Sequence, residues 1–133
     1  MISFQEKAKQ NLLAAQALIT QHLYHSSVNR SYYATFQYGL YVLFEKIRIS
    51  KEELNAEAFY EKKGSHVLAF KRLGTEIAGK DISDYRWFQR VSREFKALRK
   101  SADYTEETIT VDQANDSIRN AESIIRTLLK HFK

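Results

Sequence analysis

"DYRWFQRVSREFKALRKSADY", residues Asp84–Tyr104, is the clearest pointer to the fold class of this chain. Phe88, Val91, Phe95, Leu98 and Ala102 recur every three or four residues, the period of one buried helical stripe. A helix over about Asp84 to Ala102 is predicted. Arg86, Arg90, Arg93 and Lys100 project opposite that stripe as a basic ridge. With Lys96 and Arg99 they make six cations in fifteen residues, against Glu94 alone. Such a ridge can hold phosphates by charge, with little sequence discrimination. It can equally be the solvated side of an amphipathic helix, paired with Glu106, Glu107 or another subunit. Arg99 falls on the flank of the core face with Asp103 one turn later, the spacing of a helical ion pair. A structural Arg99–Asp103 clamp, with Tyr104 packing where the helix ends, is the corresponding expectation.

Outward from this stretch the same period repeats. Ser3 and Glu6 form a capping-box pattern ahead of Phe4, Ala8, Leu12, Ala15 and Ile19. "HLYHSS" reads as a turn. A second helix is expected over about Ser27 to Ile47, its core face made of Tyr33, Phe36, Leu40, Leu43, Phe44 and Ile47. Tyr38 and Val42 point nearly the other way, so this helix is either central in its bundle or shares a face with another subunit. Ser50 and Glu53 suggest a short helix over about 51–62. Ser65 to Ala78 follows, with Val67, Phe70, Leu73 and Ile77 inward and Gly79 as its stop. Thr110 and Gln113 cap a last helix that buries Ala114, Ile118, Ala121, Ile125 and Leu128. The expected fold is all-α: an antiparallel up-and-down bundle of four main helices plus a short additional helix, one domain over residues 1–133.

Composition narrows the chemistry. There is no cysteine, so thiol catalysis, disulfides and cysteine-ligated metals are excluded. No apolar run is long enough to span a bilayer, and the start lacks a secretory pattern, so a cytoplasmic protein without membrane attachment is expected. The net charge of +5 permits an anionic partner without demanding one.

His22, His25, His66 and His131 form no metal signature, and no cofactor motif is present. His66 stands at a helix start, where the dipole disfavours its charged form. It can serve as a neutral base, although nothing in the sequence brings it to a substrate. Arg30, on the flank of the second helix and followed by Tyr32 and Tyr33, can satisfy carbonyls, pair with Asp103, or line a polar cleft beside Arg99.

Together, "AKQNLLAAQALI", "SSVNRSYYATFQYGLYVLF", "GSH", "LRKSADY" and "TVDQANDSIRNAESIIRTLL" resemble the HEPN domain family over nearly the whole chain. The resemblance implies a helical bundle, often a homodimer with polar residues of both subunits near a shared cleft. It also implies an association with toxin–antitoxin systems. Active members are metal-independent endoribonucleases, whose motif sets an arginine four to six residues ahead of a histidine with a polar residue after the arginine. Arg99 matches the arginine and Lys100 the polar position, but Tyr104, Thr105 and Glu106 stand where the histidine belongs. The resemblance therefore implies a non-catalytic or degenerate module that binds a nucleotide, RNA or a partner such as a small nucleotidyltransferase. The alternatives are a metal-independent RNase using Arg99 with His66 or Tyr104, and an oligomeric structural protein.

Overall fold

The computed structural model describes residues 1–133 and is helical throughout, with no strand. The helices are α1 (Phe4–Thr20), α2 (Tyr24–Val42), α3 (Lys51–Glu61), α4 (Ser65–Ala78), α5 (Ile82–Tyr104) and α6 (Val111–His131). A π-helical turn, Leu43–Ile47, extends α2. Five helices span 14 to 23 residues, so the long ones number five rather than four. Each buries a stripe of its own, including α4 through Leu68, Leu73 and Ile77.

The starts follow local chemistry. Ser3 and Ser50 accept the amides of Glu6 and Glu53 at 3.1 and 3.0 Å. The reciprocal box forms at Thr110, whose hydroxyl accepts the Gln113 amide while the Gln113 side chain accepts the Thr110 amide. Asp81 caps α5 by accepting the Asp84 amide, which moves the helix start ahead of the expected Asp84. The left-handed positions His22, Arg48 and Lys62 end helical segments without any glycine.

Helix α2 is central, packed by α1, α4, α5 and α6. Tyr38 and Val42, on its second apolar face, are buried within the chain's own core. The expected core face needs correcting: Tyr33, Phe36, Phe44 and Ile47 are only half-buried, whereas Ser27, Val28, Ser31, Tyr32 and Thr35 are enclosed. Two of the enclosed hydroxyls find carbonyls, whereas those of Ser31 and Tyr32 have no hydrogen-bond partner. Ser27 donates to the Ala15 carbonyl across the α1–α2 contact at 2.8 Å, and Thr35 donates to the Tyr32 carbonyl at 2.6 Å. Small residues on the facing helices (Ala8 and Ala15 on α1, Ala114, Ser117 and Ala121 on α6) complete this small-side-chain packing.

Gly39 marks the approach of α2 to α4. A Cβ there would stand 2.8 Å from Leu73 Cδ1. Gly39→Ala is expected to lower stability by about 1–3 kcal/mol, because overpacking outweighs the helix propensity it gains. Urea unfolding measures this, and a stabilised variant would contradict the packing.

In α5 the buried series runs Phe88, Val91, Phe95, Arg99. Leu98 and Ala102, expected in the stripe, are only half-buried. An arginine occupies the last core position, and the candidate site is built around it.

Candidate functional site

Arg99 reaches the core end of α5 with a side chain only 10% exposed. A guanidinium held there needs compensation. Its carbon lies 4.8 Å from the Tyr32 ring centroid and 5.8 Å from that of Tyr104. Nη1 meets Asp103 Oδ2 at 3.5 Å, a long ion pair at the spacing read from the sequence. Nε has no hydrogen-bond partner. Burial opposes the charge, the Tyr32 and Tyr104 side chains favour it, and the guanidinium remains the preferred form.

Asp103 is held from α2 as well. Asn29 Nδ2 donates to its two carboxylate oxygens at 2.9 and 3.2 Å. The expected direct pairing of Arg30 with Asp103 is not formed, because Asn29 stands between them. Arg30 Nε donates to Asn29 Oδ1 at 3.0 Å and Nη1 to Asn11 Oδ1 at 3.2 Å, with the guanidinium over the Tyr33 ring. Asn11 in turn donates to Gln37 Oε1 at 2.6 Å. A polar chain thus crosses from α5 over α2 to α1.

His66 enters from the first turn of α4. Its ring stacks on Phe36 at 3.8 Å between centroids, lies nearly parallel to Tyr32 at 6.0 Å, and meets Tyr33 edge-on at 5.4 Å. Tyr32 is therefore the common neighbour of Arg99 and His66, two candidates separated by 33 positions in the chain. The Tyr32 hydroxyl is buried without a partner. Burial raises its pKa; the Arg99 charge opposes that rise, but no hydrogen bond of normal geometry joins the two groups.

Burial, then the charges of Arg99 and Lys96, hold the His66 imidazole below its usual range. The unfolded chain takes up this proton near pH 6.5, while the folded protein resists it until lower pH. The unfolded state then binds more protons in the window below that value, so stability is lost as pH falls through it. His66→Phe, which keeps the aromatic stack, is expected to lose less stability than the wild type between about pH 7.5 and pH 5. Thermal melts across that range measure the difference, and parallel curves would mean that His66 is not held neutral.

The remaining candidates lie outside this cluster. Arg86, Arg90, Arg93 and Lys100 are exposed along α5. Arg90 approaches Glu94 at 3.8 Å, with both side chains more than half exposed, which neutralises little of the ridge. Glu107 forms no ion pair with the ridge; its side chain accepts from Ser101 and its carbonyl contacts His25. Tyr104 does not pack into the helix end as expected, since its residue exposure is 76%. His22 contacts the Tyr24 hydroxyl. No three His, Asp or Glu side chains gather as a metal site, and no helix is long and apolar enough to cross a membrane.

Sequence reasoning passed over Asn29, Asn11 and Tyr32 as members of the cluster. The available signal was the serine–threonine series Ser27, Ser31, Thr35, which marks the enclosed side of α2 and puts Tyr32 on it.

Two comparisons bear on this geometry. The model of the HEPN domain family matches residues 3–131, which takes in Arg99, Asp103, Tyr32 and His66 alike. A Methanocaldococcus jannaschii protein named "Putative toxin MJ0605" is 27% identical over 128 residues, covering 96% of this chain and 85% of the relative. No solved structure matches. With a helical architecture, the arginine-bearing end of α5 and a family match over nearly its whole length, this chain belongs to the HEPN domain family.

Proposed function

We propose that residues 1–133 act as one HEPN module of toxin–antitoxin type, which engages RNA through the basic face of α5 and the Arg99 cluster at its end. Its catalytic capacity is reduced or absent. The observation that carries this reading is the run of exposed, largely unneutralised cations from Arg86 to Lys100 leading to a buried, incompletely satisfied Arg99. The relative named as a toxin supports the same class. By family resemblance the working unit is a cytoplasmic homodimer controlled by an antitoxin partner, for which a small nucleotidyltransferase is one candidate.

Four ridge contacts to a single strand correspond to a slope of about −3 for log affinity against log salt. Single-stranded RNA is therefore expected to lose about fifty-fold in affinity between roughly 50 and 200 mM salt. The Arg90→Glu/Arg93→Glu variant should abolish binding with its melting curve preserved. Salt-independent binding in fluorescence anisotropy would sink this reading.

A second reading, a metal-independent RNase, is favoured by one specific feature. His66, held neutral, shares Tyr32 with Arg99. A neutral imidazole can accept a proton from a ribose hydroxyl while the guanidinium stabilises phosphate charge. Cleavage of RNA in EDTA that disappears in His66→Gln would establish it. Stoichiometric RNA binding without cleavage keeps the non-catalytic reading.

A further inference from the structure

A groove of 470 Å³ lies between α4 and α5, outside the Arg99 cluster. Its floor is apolar and aromatic: Phe70 from α4, Tyr85 and Phe88 from α5. Gly74 keeps that floor open. A Cβ there would stand 3.4 Å from Tyr85 Cε1 and 3.8 Å from Phe88 Cδ1, so any larger residue would lie over the two rings.

The charge around this floor is one-sided. None of the eleven bordering residues is acidic, and three are Lys71, Arg93 and Lys96. Lys71 is already neutralised by Glu61 at 2.7 Å. The ion pairs of α5 use Asp84, Arg90, Glu94, Arg99 and Asp103, and leave Arg93 and Lys96 without a carboxylate. Lys96 is half-buried, and burial with the neighbouring Lys100 and Arg99 charges works against its ammonium form. The Ser92 hydroxyl in the same wall has no partner either.

An occupant that suits this groove fills an apolar slot and brings negative charge to two cations at its edge. A nucleic-acid strand fits it poorly, because it offers phosphates at every step while only two cations here are free. An amphipathic protein segment fits both requirements, with a bulky apolar anchor between the helices and carboxylates beside it. We propose that the α4–α5 groove docks an acidic segment of a partner protein, its leucine- or phenylalanine-type anchor against Tyr85 and Phe88 and its carboxylates on Arg93 and Lys96. Because Arg93 also belongs to the basic ridge, such a partner would mask part of the surface assigned to RNA. The docking itself is measured without RNA and stands whether or not the RNA reading holds.

The test is a titration of the full chain with a synthetic peptide holding one phenylalanine among glutamates, followed by amide NMR shifts. Saturating shifts at Gly74, Thr75, Gln89 and Lys96 are expected. Binding should weaken at least tenfold when the phenylalanine is replaced by serine, and again when the glutamates are replaced by glutamines. Arg93→Glu, at an exposed position, and Thr75→Phe, which narrows the mouth, should each weaken it at least tenfold with unchanged melting temperature. Absence of groove shifts, equal binding of the serine peptide, or shifts of the groove produced by a single-stranded RNA but not by the peptide would each overturn the proposal.

Discussion

Tyr32→Ala is expected to lower stability by about 3–5 kcal/mol, the range for removing a fully enclosed aromatic ring. The side chain is 1% exposed and contacts the rings of Phe70 and Phe95 at 5.8 and 5.6 Å. It also carries Arg99 on its face and lies beside His66, so its loss removes the support shared by both groups. Tyr32→Phe separates the ring from the hydroxyl. That hydroxyl is buried without a partner, so removing it should leave stability unchanged or raise it by up to about 1 kcal/mol. Denaturant unfolding of the two variants decides the matter. A Tyr32→Phe cost near that of Tyr32→Ala would show that the hydroxyl, rather than the ring, carries the contact.

Arg99→Met should lower RNA affinity by about ten- to a hundredfold, the equivalent of losing one charge-assisted contact of roughly 1.5–3 kcal/mol. The accompanying stability loss is smaller. Methionine refills the apolar space, while the contact of the guanidinium with each tyrosine ring contributes only about 0.5–2 kcal/mol. Asp103 does not become an unpaired buried charge, since Asn29 still donates to it. Anisotropy with single-stranded RNA, alongside cleavage in EDTA, reads the functional loss, and melting reads the structural one. A variant that unfolds more readily yet binds RNA as the wild type would reduce Arg99 to a helix-end brace.

These two residues differ in how visible they are in the sequence. The Arg99–Asp103 pair is a matter of one helix turn, and the structure forms it at 3.5 Å. The enclosure of Arg99 is less legible, because the 100° projection places it on the flank and leaves Leu98 and Ala102 as the inward pair. A rotation of α5 by a fraction of a turn about its axis exchanges those roles, and the neighbouring helices set that rotation. Tyr32 is less legible still. Aromatic weight drew the expected core face of α2 toward Tyr33 and Phe36, whereas close packing among small residues put Ser27, Ser31 and Thr35 inside and carried Tyr32 with them.

The helical class, the caps at Ser3, Ser50 and Thr110, the basic face of α5, the family and the Arg99–Asp103 spacing are all legible in the order of the residues. Apart from the family, which rests on five segments spread along the chain, these depend on residues within a few positions of one another, where helix geometry dictates who is neighbour to whom. The central place of α2, the hold of Asn29 rather than Arg30 on Asp103, and the meeting of His66 and Arg99 across Tyr32 emerge only when the helices pack. Those contacts join separate helices, and helix crossing and rotation are fixed by packing the whole core at once rather than by the period of any single segment.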